Sequence, residues 1–268
     1  MGIFESMKKG LQIASGSLSI MMIIFGVNFV TALGMLSVIG LNPTQQDLAQ
    51  KTGILLFLFF TLMAIWLFLE GGILSGVLSV IKTGVADLKS FLDNSVKFFV
   101  RMISINIINA LLNLTIWLIG SFLMGIFLAL GKGANVFFNI LALLFLGITV
   151  IVSLLVTVPL IISQLICVAN NAKVRESLKA GFDVFFKNLG RFILLVFCLG
   201  ITFFVIQGIV NIFGVLIGNA LSGWPGAIIN VIFASAVNMF TGVFGAGCLY
   251  VMLMSLVNNQ PTQEVEEA

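Results

Sequence analysis

The sequence predicts an all-α, polytopic membrane helix bundle with six transmembrane helices. Hydrophobic residues make up 60% of the chain and charged residues 9%, whereas a soluble domain carries roughly 25% charged residues. A soluble core could not bury so much apolar surface, so lipid must be the main solvent. A helix of about 20 apolar residues spans a bilayer. Six runs are long enough: 18–40, 54–81, 102–130, 135–169, 192–218 and 226–257.

A repeated pattern of charges organises these spans as three pseudo-repeated hairpins. Lys, Asp, Lys and Arg recur at four-residue intervals twice, 90 residues apart, as Lys89, Asp93, Lys97 and Arg101 and as Lys179, Asp183, Lys187 and Arg191. The N-terminal segment ESMKKGLQIASG begins a weaker third copy. We expect one transmembrane domain over 1–258, with pseudo-repeats at about 1–83, 84–171 and 172–258. The polar, acidic tail 259–268 is predicted to be disordered.

The segments that open the repeats are predicted to be amphipathic interfacial helices before spans 1, 3 and 5. On a helix, Lys179, Asp183 and Lys187 form one stripe. Leu178, Phe182, Phe185 and Leu189 follow a different face. We expect the Phe face to lie in the acyl boundary and the Lys face among the lipid headgroups.

Two interpretations of these cations stay open. They are either topology anchors only, or they dock anionic lipid or a cytoplasmic partner. The candidate headgroup contacts are Lys89, Lys97, Arg101, Lys179, Lys187 and Arg191.

The placement of positive charge predicts the orientation. If six spans put both termini on one side, 11 of the 13 Lys and Arg residues lie on that side. Only Lys51 and Lys132 lie opposite. Cytoplasmic loops are enriched in Lys and Arg, so both termini are expected in the cytoplasm.

One acid stands inside an apolar span. Glu70, in IWLFLEGGILSG, lies past the middle of the second span, where a charged side chain is costly. It would either couple transport to protons or bind a cationic group, or it would hydrogen-bond a neighbouring helix.

Amides within the spans form the second set of candidate polar sites. Buried amides are costly in hydrocarbon unless they are paired, so these side chains should face other helices or a wet cavity. The first arrangement would make them interhelical hydrogen bonds, and the second would make them a path for a neutral solute. The residues are Asn106, Asn109, Asn113, Gln207, Asn211, Asn230 and Asn238.

Catalytic and metal-binding patterns are absent from the sequence. The chain has no His, which removes the commonest general base and metal ligand. It contains no Walker loop, HExxH, GxSxG or CxxC motif. Cys167, Cys198 and Cys248 fall in apolar spans and are interpreted as small buried hydrophobic residues. We therefore expect no enzymatic activity, no cofactor, no metal and no nucleic-acid partner.

The short Phe-rich segment and its FFKNLGRFILL entry into the membrane resemble a group of bacterial six-span proteins. This group includes the membrane domain attached to some glycerophosphodiester phosphodiesterases, together with its stand-alone relatives. The match is best over Phe182 to Leu195, including Phe185, Phe186 and Asn188. The resemblance implies a helical bacterial inner-membrane protein and implies no catalytic residues.

These observations favour a non-enzymatic scaffold, accessory or regulatory subunit of a membrane complex. The alternative is a transporter or channel for a small neutral or amphiphilic solute or lipid. Anionic lipids and either a membrane-protein partner or a second copy of the chain are the expected partners.

The charge distribution generates a test of orientation. A cysteine at Thr44 should react with an impermeant thiol reagent added outside intact cells, whereas a cysteine at Ser90 should react only after permeabilisation. The unsubstituted chain measures background labelling of its own cysteines. Labelling of the Ser90 position alone in intact cells would reverse the predicted orientation.

Overall fold

The computed structural model describes residues 2–40, 44–131, 136–221 and 223–258, and these are helical almost throughout. No strand occurs in these ranges, which confirms the all-α class. The predicted tail 259–268 lies outside the described residues. The helices are α1 (Ile3–Gly16), α2 (Leu18–Ile39), α3 (Gln45–Thr83), α4 (Phe91–Gly131), α5 (Val136–Asn170), α6 (Val174–Lys187), α7 (Leu189–Ala220) and α8 (Trp224–Asn258).

Six of these helices, α2, α3, α4, α5, α7 and α8, are long and apolar enough to cross a membrane. Only 6–22% of the residues in their most apolar windows are buried inside the chain. Because the apolar side chains of a soluble bundle would face its core, this outward exposure fits lipid as the surrounding solvent. The six predicted spans are therefore confirmed by length and composition.

Two of the three predicted amphipathic segments are separate short helices, α1 and α6. Asn188 ends α6, with its backbone N–H bonded to the Phe185 carbonyl at 3.1 Å. The third segment, predicted at 84–101, is not a separate helix, because α4 begins at Phe91 and continues into the span without a break. The sequence VKFFVRMIS contains no Gly, Pro or Asn that could end a helix there. We call α1, residues 91–99 and α6 the entry segments.

The chain divides into two compact units. One contains the residues up to Phe99 and those from Leu189 onward, and the other contains Val100–Asn188. These borders lie about 16 residues beyond the predicted repeat borders near 83 and 171. The displacement has a physical reason: residues 91–99 pack against α3 and α6 packs against α5, so each of these two entry segments associates with the membrane helix that precedes it.

Small residues bring α6 into close contact with α5. Ser177, Gly181 and Phe185 are the buried residues of α6. A Cβ on Gly181 would lie 2.8 Å from the Pro159 carbonyl oxygen and would also collide with Ser163. The absence of a side chain at this one position therefore lets the two helices touch.

The same kind of contact seats the other two entry segments. On α1, Gly10 lies against Cys248 of α8, and a Cβ there would be 3.1 Å from the Cys248 backbone nitrogen. On α3, a Cβ at Gly71 would lie 2.8 Å from Cβ of Phe98. Close approach at a glycine is thus used three times to fix an entry segment on a membrane helix.

This packing corrects the prediction that the Phe face of α6 lies in the acyl boundary. Phe185 is 1% exposed, so it packs against protein. Phe182 is half-buried, and Phe186, which the predicted face left out, is 54% exposed. The burial of Cys167 and Cys248 confirms their interpretation as buried small residues, while Cys198 is half-buried.

A side-chain cap orders the turn that leads into α4. The carboxylate Oδ1 of Asp87 accepts hydrogen bonds from the backbone N–H groups of Lys89, at 3.0 Å, and Ser90, at 3.4 Å. Hydrogen bonding favours the charged form of Asp87, with the Ser90 side chain the largest cause and the Ser90 backbone N–H the next, and the pKa of Asp87 is lowered from its usual value. This short turn positions the first residues of α4 for their contact with α3.

The Gly181 contact generates a matched pair of substitutions in one unit. Gly181→Ala should destabilise the fold by about 1–3 kcal/mol, because the new Cβ has no room. Gly147→Ala in α5 is the control: nothing lies within 4 Å of its Cβ position, so the gain in helix propensity should stabilise by about 0.5–1 kcal/mol. Thermal unfolding in mild detergent measures both. Equal stability of the two variants would contradict the packing argument.

Candidate functional site

The strongest polar cluster within a membrane span joins α4 to α5. Nδ2 of Asn113 donates to Oγ1 of Thr157 at 3.1 Å and to Oδ1 of Asn109 at 2.7 Å. The hydroxyl of Ser153 donates to Oδ1 of Asn113. Both ends of the Asn113 amide are therefore bonded, and both bind the opposite helix. We call these four residues the amide network.

Close packing continues along the same pair of helices. Thr149 is 6% exposed and lies against Gly120, where a Cβ would overlap its side chain. Seven residues further along α4, Phe127 stacks on Phe145 with ring centroids 5.0 Å apart. Asn113, Gly120 and Phe127 thus follow a heptad spacing, the seam geometry of antiparallel helices that pack closely. The amide network is one layer of this seam.

The remaining predicted amides occupy different positions. Nδ2 of Asn106 donates to the Met102 carbonyl of its own helix at 3.0 Å. On α7, Nε2 of Gln207 donates to Oδ1 of Asn211 at 3.1 Å. Asn230 of α8 faces Gly214 of α7, and Asn238 is exposed. The structure therefore brings Asn109 and Asn113 together and, separately, Gln207 and Asn211.

Glu70 lies half-buried on α3. The next two residues, Gly71 and Gly72, are the ones that contact the entry segment 91–99. The acid is therefore placed beside a tight helix contact, in the unit that does not contain the amide network.

Arg101 makes a contact that the sequence did not predict. Its Nη1 donates to the Asn171 carbonyl at 3.1 Å, to Oδ1 of Asn171 at 2.9 Å and to the Ala172 carbonyl at 3.2 Å. Asn171 has φ +50° and the Ala172 N–H bonds back to the Cys167 carbonyl, which is how a left-handed residue ends a helix. A cation at the C-terminal end of α5 is favoured by the helix dipole.

The other predicted headgroup contacts are all exposed: Lys89, Lys97, Lys179, Lys187 and Arg191. The ammonium of Lys97 also lies 5.1 Å from the centroid of the Phe98 ring. Exposure is compatible with lipid contact, which stays a prediction for these five residues. Arg101 differs because its guanidinium binds the end of α5.

Sequence reasoning missed the partners of the amides on α5. Thr149, Ser153 and Thr157 recur every four residues inside the otherwise apolar stretch 140–162 of α5. That spacing places them on one face, so a search for polar stripes would have found the surface that faces α4. Asn171 was also detectable, because Asn is the commonest substitute for Gly at a left-handed helix end.

The described residues offer little that could hold a metal or a polar ligand. No group of three or more His, Cys, Asp or Glu side chains clusters within them. Two open grooves of about 410 and 470 Å³ occur, one between α1, α2 and α8 and the other between α2 and α3. Their linings are mainly apolar, and none of the predicted amides lines either groove.

Comparison of the chain with protein-family models, with curated proteins and with solved structures finds no match. The resemblance to the membrane domain of glycerophosphodiester phosphodiesterases therefore stays a prediction.

The amide network generates a stability test. Asn113→Leu should lower the free energy of unfolding by about 0.6–2 kcal/mol, because it removes hydrogen bonds between α4 and α5. Thr115→Val is the control: Thr115 is exposed and bonds the Leu111 carbonyl of its own helix at 2.9 Å, so its change should stay within about 0.5 kcal/mol. Thermal unfolding in detergent compares the two.

A double-mutant cycle sharpens this comparison. One arm of the cycle is Asn113→Leu, and the other is the combined change Ser153→Ala and Thr157→Val. All three changes together should lower the free energy of unfolding by less than the sum of the two arms, because both arms remove the same hydrogen bonds. Strict additivity would show that the network does not couple α4 to α5.

Proposed function

We propose that this chain is a non-enzymatic integral membrane protein that acts as a scaffold, accessory or regulatory subunit of a membrane complex. One observation carries the proposal: Asn113, the central amide of its strongest intramembrane polar cluster, is bonded at both ends to neighbouring side chains. On this proposal, the hydrogen bonds of Asn109 and Asn113 hold α4 and α5 together, and the two amides do not bind a passing solute.

The proposed location is the inner membrane of a bacterium, with both termini in the cytoplasm. The excess of Lys and Arg on one side supports the orientation. The exposed Lys179 and Lys187 of α6 support contact with anionic lipid, because each lies away from the Gly181 face that packs on α5. A surface Lys near anionic lipid contributes about 1 kcal/mol.

The transport alternative needs polar groups that a solute could use in place of water. Asn109 and Asn113 were the best candidates for a path in the third span. Their bonds to each other, and those of Asn113 to Ser153 and Thr157, would have to break before a solute could bind. The proposal therefore assigns these amides to helix association.

Two measurements on the full chain test the function. Purified in mild detergent, the protein should form a complex of fixed stoichiometry with another membrane protein. Reconstituted vesicles should be no more permeable to glycerol or urea than protein-free vesicles, as followed by light scattering after an osmotic step. The Asn113→Leu variant should lose stability and leave this permeability at baseline.

A different result would replace the scaffold role with transport. Vesicle swelling clearly faster than in protein-free vesicles, and slowed by Asn113→Leu in protein that remains folded, would show that the amides line a path. Recovery of the chain alone, with no stoichiometric partner, would remove the accessory role.

A further inference from the structure

The outer surface of α7 carries polar side chains where the rest of the span is apolar. Gln207 and Asn211 lie within the run from Phe192 to Ile217, where the other polar side chain, Thr202, bonds the Cys198 carbonyl of its own helix at 2.9 Å. Asn211 is exposed and Gln207 is half-buried. An amide facing hydrocarbon gains no hydrogen bond from lipid tails, so this position is unfavourable for a chain surrounded by lipid alone.

The bond between Gln207 and Asn211 satisfies only part of the hydrogen-bonding capacity of the two amides. Nε2 of Gln207 donates to Oδ1 of Asn211 at 3.1 Å. Within the part of the chain that the structure describes, the Nδ2 donors of Asn211 and the Oε1 acceptor of Gln207 have no hydrogen-bond partner. The pair therefore presents donors and an acceptor together toward the membrane.

A third amide lies at a similar depth on the neighbouring helix. The Phe203 ring of α7 contacts Phe244 of α8, with centroids 6.1 Å apart, and Gly214 faces Asn230. This antiparallel register places Asn238 at about the level of Gln207. Asn238 is also exposed, so amides from two adjacent helices belong to one membrane-facing region.

The same face of α7 has a projection next to a gap. Phe204 is 80% exposed, and nothing lies within 4 Å of the Cβ position of Gly200, one turn away. Gly200, Phe204, Gln207 and Asn211 follow the spacing of a helix–helix seam. We call these four residues, together with Asn238, the α7 amide face.

We propose that the α7 amide face is a self-association surface that binds the same face of a second copy of this chain within the membrane. Copies inserted in one orientation are related by a two-fold axis along the membrane normal, so their α7 helices run parallel. Asn211 of each copy then meets Gln207 of the other, and its Nδ2 donors reach the opposite Oε1 acceptor. Phe204 of each copy fits against the open Gly200 of the other.

The complementarity of the groups favours a second copy over another protein. The face offers equal kinds of donor and acceptor and both a projection and a gap, so it matches itself without any further assumption about a partner. Amide pairs of this kind are known to associate membrane helices. This inference goes beyond the proposed function, because a scaffold could act as a monomer.

Cysteine cross-linking tests the geometry in the folded chain. A cysteine at Phe204 should form an intermolecular disulfide in membranes upon mild oxidation. A cysteine at Ile209 is the matched control: Ile209 is 50% exposed and lies about 140° around the helix from Phe204. The unsubstituted chain measures cross-linking through the native cysteines. Equal yields at positions 204 and 209, or no yield at either, would overturn the proposal.

The amide contribution is measured by single-molecule photobleaching in vesicles at several protein-to-lipid ratios. The unsubstituted chain should be dimeric, and the combined Gln207→Leu and Asn211→Leu variant should dimerise about tenfold more weakly. Thr115→Val removes an exposed hydroxyl that is bonded within its own helix and should leave dimerisation unchanged. A monomeric chain at every ratio, or an unchanged dimer in the amide variant, would overturn the proposal.

The outcomes separate this inference from the proposed function. A cross-link from position 204 to a different protein, without dimers, would reject a second copy and leave the accessory role intact. Dimers in vesicles that also transport solute would support the α7 surface and reject the scaffold role. Because the cross-link uses a chain with its amides unchanged, it remains decisive even if the amide variant fails to fold.

Discussion

Hydrocarbon offers no hydrogen-bond partner, and this one constraint governs the whole structure. Each backbone polar group must be satisfied within its own helix, which is why the described chain is helical almost throughout. The same constraint acts on side chains. The hydroxyl groups of Thr115 and Thr149 donate to carbonyl groups one turn earlier in their own helices. The amide of Asn113 has both N–H donors and a carbonyl acceptor, and it also bonds side chains of a second helix.

Helix association without a hydrophobic driving force depends on close contact. The entry segments obtain it at glycine. Gly181 lies against Pro159 and Ser163, Gly10 against Cys248, and Gly71 against Phe98. Each contact ties an amphipathic segment to a membrane helix, so the position of the segment is set by protein packing as well as by the membrane surface. This explains why Phe185 is buried in protein although its periodicity suits a lipid interface.

Polar side chains that the fold leaves exposed to the membrane indicate surfaces for contact with other helices. The amide network between α4 and α5 is internally bonded and supports a structural role. Asn211 and Asn238 are exposed on α7 and α8, and the same energetic rule that pairs Asn113 with α5 indicates that another helix should cover them. The proposed scaffold role and the proposed self-association surface therefore rest on different amides.

The sequence by itself determined the helical class, the six spans and two of the three predicted entry helices, α1 and α6. These follow from composition and from periodicity, which act locally along the chain. It also named Asn109 and Asn113 as candidate polar residues of the third span, and their spacing of four residues places them on one face of a helix.

Only the tertiary structure decided which faces meet. The partners Ser153 and Thr157, the contact of Arg101 with the end of α5 and the close approach at Gly181 join residues at least 18 positions apart. A helix pattern shows which side chains share a face, but packing between helices selects the face that is buried. For the same reason the borders of the two units follow contacts between helices, and the repeat in the sequence could not place them.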